Sequence, residues 1–249
     1  MSPILVTSGL GLDYGKFTAV TAVDLAVTPN SVHSLIGPNG AGKTSFFNIV
    51  SGRHRPSRGS IRFAGHDITA TPSHRRVRLG MARSFQVTSL FAGESVRHNL
   101  RLAALGLSPA RALHFWRTWN GETQDLTAVD EVLQRLELGA LAERKVGALS
   151  HGLQRIVEIG MCLVARPRLL LFDEPLAGLG LDDVPRVAAL MRDLARTHTV
   201  LLVEHNMRVV MSISDRITVM FQGGVIAEGS PEEIRASAEV RRVYLGSAA

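Results

Sequence analysis

Residues 37–44 read G-P-N-G-A-G-K-T and match the pattern G-x-x-x-x-G-K-[ST]. The apolar run S-V-H-S-L-I at 31–36 leads into this stretch, and K-T-S-F-F-N-I-V-S follows it and stops at Gly52. A buried strand therefore enters a glycine-rich loop that opens a helix at about Lys43. That context gives the pattern its chemistry. Gly37, Gly40 and Gly42 let the backbone wrap closely around phosphate oxygens, and the helix N-terminus adds free N–H groups and a partial positive charge. Lys43 is placed to reach the β- and γ-phosphates, and Thr44 to set its hydroxyl on Mg²⁺. The predicted phosphate-contacting set is Gly37, Pro38, Asn39, Gly40, Ala41, Gly42, Lys43, Thr44 and Ser45.

Hydrolysis needs more than a phosphate cradle. L-L-L-F-D-E-P at 169–175 ends an apolar run on two acids. Asp173 is predicted to hold Mg²⁺, directly or through water, and Glu174 to orient or deprotonate the attacking water. A second apolar run, T-V-L-L-V-E at 199–204, ends beside His205. Between the two runs lies the amphipathic R-V-A-A-L-M-R-D-L-A-R, so this part of the chain is a β–α–β unit with central parallel strands. Gln86 is expected at the end of the strand M-A-R-S-F-Q. Gln86 and His205 join the candidate catalytic residues through their order relative to the loop, and Gln86 also joins Thr44 and Asp173 as a candidate metal contact.

The remaining chain fits an α/β reading. Strands are expected at 4–12 and 19–27, a short hairpin at 60–68, and a short helix from P-S-H-R-R at 72–76. A mainly helical block runs to 165, and R-I-T-V-M-F-Q-G-G-V-I-A-E-G at 216–229 is a hairpin around Gly223-Gly224. No internal repeat or low-complexity segment is visible. The apolar fraction of 45% suits a real core. The single cysteine, Cys162, rules out an intramolecular disulfide and reads as a buried small hydrophobe. No apolar run approaches the roughly 20 residues that span a bilayer, and the N-terminus lacks the pattern of a signal peptide. The expectation is a soluble or peripheral protein of the cytoplasm. The net charge of +6 favours anionic partners, and much of it lies between Arg53 and Arg83, with eight arginines and one acid, Asp67. That stretch reads as a solvated or subunit-facing surface. It lacks the interleaved aromatics of a single-strand nucleic-acid platform, so no nucleic-acid partner is expected.

A-L-S-H-G-L-Q-R at 148–155 sets Ser150 beside His151. Neighbours on a helix point about 100° apart, so the two are poorly placed to act as nucleophile and base. The order of loop, Gln86, L-S-H-G, D-E and His205 resembles the ATP-binding cassette family of transport ATPases across essentially the whole chain. In that family L-S-H-G-L-Q corresponds to the signature, which implies that Ser150, His151 and Gly152 contact an ATP held by another chain. Tyr14, in L-D-Y-G-K-F, matches the aromatic that stacks on adenine, and Phe17 is a weaker match. D-E-P-L-A-G-L, V-E-H-N-M-R-V-V-M-S-I-S-D-R-I, G-S-P-E-E-I-R and V-Y-L-G, with an insertion at 111–122, resemble the branched-chain amino acid importer group and its urea and short-amide relatives.

The resemblance implies a P-loop NTPase fold with a RecA-like parallel sheet, an N-terminal antiparallel β subdomain and an inserted helical subdomain. Within one nucleotide-binding domain of residues 1–249, residues 1–86 and 166–249 would form the ATP-binding core and 87–165 the insert. It implies ATP and Mg²⁺ as ligands and a head-to-tail dimer with itself or a second ATPase subunit. It further implies two membrane permease subunits, an indirect solute-binding protein, and a place on the cytoplasmic face of the membrane. A non-transport ATPase acting on DNA or ribosomes is the second class; its usual tandem cassettes or coiled-coil insert are lacking here. The chain departs from the family pattern at Leu153, where glutamine is common, and at His151, where glycine is common. It departs again at Met161, where arginine is frequent, and at Gly180, where aspartate is usual, with Asp182 two residues on.

Overall fold

The computed structural model describes residues 2–84, 90–106 and 123–246. Gln86, the end of its expected strand, and the 111–122 insertion lie outside the described residues.

The chain starts with two long strands, β1 (Leu5–Tyr14) and β2 (Phe17–Val27), paired antiparallel. With β4 (Arg58–Phe63) and β5 (His66–Asp67) they form a four-stranded antiparallel sheet in the order β2-β1-β4-β5. The expected hairpin at 60–68 is thus present, and the first strand runs two residues further than its apolar pattern, to the tip at Tyr14.

The second sheet carries the site. Its order is β10-β9-β3-β8-β7-β6, with β3 (Val32–Ile36) in the interior beside β8 (Thr199–Val203) and β9 (Arg216–Phe221). The strands β6 (Met81–Arg83), β7 (Leu169–Asp173), β8, β3 and β9 run parallel, and β10 (Gly224–Gly229) closes one edge antiparallel to β9. The turn at Gln222 and Gly223 has positive φ at both residues, as a tight hairpin twisted with its strands requires.

The apolar runs of β7 and β8 follow from burial on both faces. Leu169, Leu171, Leu201 and Val203 pack with α1 (Lys43–Val50) and the antiparallel sheet. Leu170, Phe172, Val200 and Leu202 pack on the opposite face against a helical layer. Alternation at period two divides each strand between two cores, so neither can carry a polar face. Phe46 and Phe47 of α1 are fully buried between the sheets, and each contributes roughly 1.5–3 kcal/mol of apolar transfer.

The helical layer contains α3 (Val96–Leu105), α4 (Thr123–Arg135) and α5 (His151–Leu163), which follow β6 in the chain and precede β7. At Gly160 a Cβ would meet Leu100 and Leu136 at 3.0 Å, so α5 approaches its neighbours closely there. Beyond β7, α6 (Asp183–Leu194) completes the expected β–α–β unit. The short α2 (Ser73–Arg78) precedes β6, and α7 (Met207–Ile213) follows β8. The chain closes with α8 (Pro231–Ala236), begun by a capping box between Ser230 and Glu233, and α9 (Ala238–Gly246). Cys162 is buried as expected, and burial pushes its thiol up to about 12.

The basic stretch differs from its expectation as a plain surface. Arg53, Arg55, Arg58, Arg62, Arg75 and Arg78 are exposed, but Arg76 is 1% exposed. Its guanidinium donates to the carbonyls of Ile49, Val50, Ile68 and Thr71. Two of these lie at the end of α1, where a helix leaves carbonyls without an intrahelical partner. Burial lowers the Arg76 pKa to about 10.

Candidate functional site

The C-terminal ends of β3, β7 and β8 lie side by side, the position where parallel α/β sheets hold ligands. The glycine-rich loop leaves β3 and turns into α1. Gly37 has φ +151°, and a Cβ there would stand 2.2 Å from the Met220 carbonyl oxygen. Gly42 has φ +96°, and its Cβ would stand 2.4 Å from the Ala19 carbonyl oxygen. These two glycines are therefore required by the protein's own backbone as well as by any phosphate. Gly223 N–H donates to the Ala41 carbonyl at 3.1 Å and braces the loop from behind.

Lys43 is buried, and its Nζ donates to the carbonyls of Gly37 at 2.7 Å and Pro38 at 2.9 Å. An ammonium has three N–H groups, so one is left to reach an anion. Burial lowers the Lys43 pKa, while the carboxylates of Glu174 and Asp173 oppose that shift. Thr44, Asn39 and Gly40 are exposed at the mouth of the loop, and Pro38 and Ser45 are half-buried. Tyr14 and Phe17 face each other at the β1–β2 tip, both exposed, with Ala19 two residues on touching the loop at Gly42. The Tyr14 ring stands edge-on to His54 with centroids 6.0 Å apart.

Asp173 ends β7 with its side chain fully buried. Its Oδ2 accepts from Arg83 at 2.8 Å, and its Oδ1 is buried with no hydrogen-bond partner. Burial raises the Asp173 pKa, and the Arg83 guanidinium counteracts it. Arg83 also donates to Asn48 Oδ1 and Ser51 Oγ on and after α1, and its guanidinium lies 5.7 Å from the Phe47 ring centroid.

Glu174 is a non-glycine residue with φ +51°, and Pro175 follows it. Residues before proline favour extended backbone, and the left-handed region costs about 1–3 kcal/mol for such a residue. This conformation sends its side chain across to β8, where Oε1 stands 2.6 Å from His205 Nε2. Glu174 N–H donates to the Val203 carbonyl at 2.9 Å, so sheet pairing continues one residue past β7.

Ser150 caps α5, its hydroxyl accepting from Leu153 N–H at 3.4 Å, and His151 is exposed as the first helical residue. The Ser150 hydroxyl thus serves the helix, not the His151 ring. Gly152 is buried, and a Cβ on it would stand 2.2 Å from Oδ1 of Asp183. The Asp183 carboxylate thus fills the space a side chain at position 152 would need. Leu153 packs on the main core, and the Gln154 amide donates to the carbonyls of Val146 and Leu149.

Two residues at this site are not singled out by the sequence: Arg83, one of the eight arginines of the basic stretch, and Glu204, which ends an apolar run within V-E-H. The signal for Glu204 was an acid directly before the histidine in V-E-H.

A family model described as ABC transporter matches residues 20–177. The chain belongs to the ABC transporter family. A second model, branched-chain amino acid ATP-binding cassette transporter, matches residues 225–249 of the cassette. The cassette is 40% identical to the high-affinity branched-chain amino acid transport ATP-binding protein BraF of Pseudomonas aeruginosa, over 99% of each chain. It is 39% identical to LivG of Escherichia coli, also over 99% of each, and 38% identical to the lipopolysaccharide export ATP-binding protein LptB of Acidithiobacillus ferridurans, over 99% and 98%. A solved ABC transporter cassette in its ADP conformation superposes with a TM-score of 0.89 at 29% identity, covering 99% of this chain and 100% of that one. The protein is an ATP-hydrolysing subunit of a transporter complex, which implies membrane permease partners. Among the described residues no helix is long and apolar enough to cross a membrane.

Proposed function

We propose that the cassette is the motor subunit of an importer for branched-chain amino acids, and that hydrolysis runs through Lys43, Asp173, Glu174 and His205. The observation that supports these roles is the meeting of all four at the C-terminal ends of the neighbouring strands β3, β8 and β7. Phosphoryl transfer to water needs positioning and charge stabilisation more than covalent chemistry. Lys43 meets the terminal phosphates with its remaining N–H. Glu174 orients the attacking water and takes its proton. His205 holds Glu174 in place through Nε2. The first-turn amides of α1, at Lys43, Thr44 and Ser45, receive phosphate oxygens. Tyr14 stacks on adenine.

The residues present fit a Mg²⁺ ion that arrives with the nucleotide. Asp173 Oδ1 is a buried oxygen without a partner, and Thr44 offers an exposed hydroxyl. Among the described residues no cluster of three His, Cys, Asp or Glu forms a metal cage. One carboxylate plus substrate phosphates is the usual pattern for Mg²⁺. The ion would neutralise charge on the transferred phosphoryl oxygens. Gln86 is proposed as a further contact, catalytic and to the metal.

Ser150, His151 and Gly152 are proposed to contact the ATP of a second cassette, whether a paralogue or another copy, in a head-to-tail pair. Residues 87–165 are proposed as the helical insert of a single nucleotide-binding domain, with 1–86 and 166–249 as its core. The pair would sit on the cytoplasmic face of a bacterial inner membrane beneath two permease subunits served by a solute-binding protein. The names of BraF and LivG and the match at 225–249 support the solute class.

The test is ATPase activity of the cassette assembled with its permeases and binding protein. Leucine, isoleucine or valine should stimulate it, and Lys43→Ala should abolish it. Stimulation by urea or a short amide instead would replace the solute assignment with the runner-up.

A further inference from the structure

We infer that Glu204 is a positioning residue for hydrolysis: a buried carboxylate that joins the two loops carrying Glu174 and His205. The inference rests on the proposed roles of those two residues. Glu204 follows β8 and is 4% exposed. Its Oε2 accepts from Leu176 N–H at 3.2 Å, two residues past Glu174. Its Oε1 accepts from His205 N–H at 2.8 Å and Asn206 N–H at 3.2 Å.

An ionised carboxylate only accepts hydrogen bonds, and here both oxygens are used on backbone amides. Bonds of this kind are charge-assisted and stronger than neutral ones. The three donors belong to the two segments that leave β7 and β8. Those segments diverge after Asp173↔Val203, the last paired residues of the two strands. Beyond that point the loops are tied by Glu174 N–H to the Val203 carbonyl, by the Glu204 carboxylate, and by the Glu174–His205 contact itself. Glu204 therefore fixes the backbone on both sides of a 2.6 Å contact that must be held against the strain of a left-handed Glu174.

No near-isostere reproduces this. Glutamine would turn an NH₂ group toward an N–H donor on one side or the other. Aspartate is one methylene shorter and cannot span both segments. Both variants should leave the phosphate loop untouched and loosen the contact between Glu174 and His205.

The test compares Glu204→Gln and Glu204→Asp in the wild-type chain and in His205→Ala. The readouts are single-turnover hydrolysis, binding of a fluorescent ATP analogue, and thermal midpoint. The expected result is a hydrolysis rate lowered by about 10²-fold, the scale of a misplaced catalytic group, with nucleotide affinity held within about twofold. In the His205→Ala background the same substitutions should add little further loss, because the contact they support is already gone. The lost amide bonds lower the midpoint in either case; a merely structural role is told apart because its effect on rate would multiply with His205→Ala. That multiplication, or wild-type rates in both Glu204 variants beside an inactive His205→Ala, overturns the inference alone. Wild-type hydrolysis by His205→Ala overturns the parent reading of His205 and this inference with it.

Discussion

The Nε2 atom of His205 stands 2.6 Å from Oε1 of Glu174, across the gap between the ends of β8 and β7. A carboxylate supplies no proton to such a contact, so Nε2 carries the hydrogen and donates. The partners are 31 residues apart in sequence and meet because their strands are parallel neighbours. Glu174→Gln keeps the shape of the side chain and removes its basicity. The expected outcome is a fall in kcat of about 10²–10⁴-fold, the usual contribution of a general base, with ATP still bound. Steady-state hydrolysis and nucleotide-binding titrations check both halves; turnover at the wild-type rate would remove Glu174 from its assigned role.

Arg83 and Asp173 form a pair with little solvent contact, 12% and 0% exposed at the side chains. Removing one partner of such a pair leaves a buried charge without compensation. Arg83→Met should therefore cost about 3–5 kcal/mol of folding stability in the absence of nucleotide. Arg83→Met combined with Asp173→Asn should cost much less. Urea denaturation of the single and double variants measures the difference, and equal costs in both would show that Asp173 does not depend on Arg83.

His33 gives the stability a pH dependence of known sign. The ring is 1% exposed in β3, with Nε2 2.7 Å from Thr218 Oγ1, and Nδ1 has no partner. Burial lowers its pKa from 6.5 to about 4, opposed by the nearby Glu228 carboxylate and reinforced by Arg216. The folded pKa is below the unfolded one, so the neutral form stabilises the fold. That contribution is fully present above pH 6.5 and is lost as pH falls to about 4. At 1.36 kcal/mol per pKa unit it amounts to about 3 kcal/mol. In His33→Leu the stability difference between pH 7 and pH 4 should shrink by that amount. An unchanged difference in denaturant melts would contradict the assignment.

Arg76 closes the end of α1 behind the phosphate loop. Arg76→Met keeps an apolar stem but strips the donors from the carbonyls of Ile49, Val50, Ile68 and Thr71. The Ile49 and Ile68 carbonyls keep the N–H groups of Gly52 and Thr71, so the cost falls on the Val50 and Thr71 carbonyls; at about 1–3 kcal/mol for each unsatisfied buried group, a loss of about 2–4 kcal/mol is expected. Chemical denaturation tests it. A neutral result would mean that these carbonyls are readily hydrated without the guanidinium.

Much of this protein can be read along the chain because its decisive signals are local. The glycine-rich loop, its entering strand and its exiting helix are contiguous, and glycines 37 and 42 are imposed by backbone conformation at single positions. The apolar runs at 169–173 and 199–203 declare burial on both faces, and with it a parallel sheet. Ser150 declares a helix start through one side-chain bond. Tertiary structure alone decided which charges meet. Arg76 and Arg83 belong to the same basic stretch, yet one is buried under α1, the other is bound to Asp173, and six neighbours face solvent. Gly152 was legible as a small residue, but its neighbour Asp183 was not. Glu204 reads in sequence as the polar end of a strand, and only the fold sets its oxygens on amides from two loops. Such contacts join residues tens of positions apart. Their strength depends on burial and on the direction of each donor, and neither exists before the sheet has brought the strand ends together.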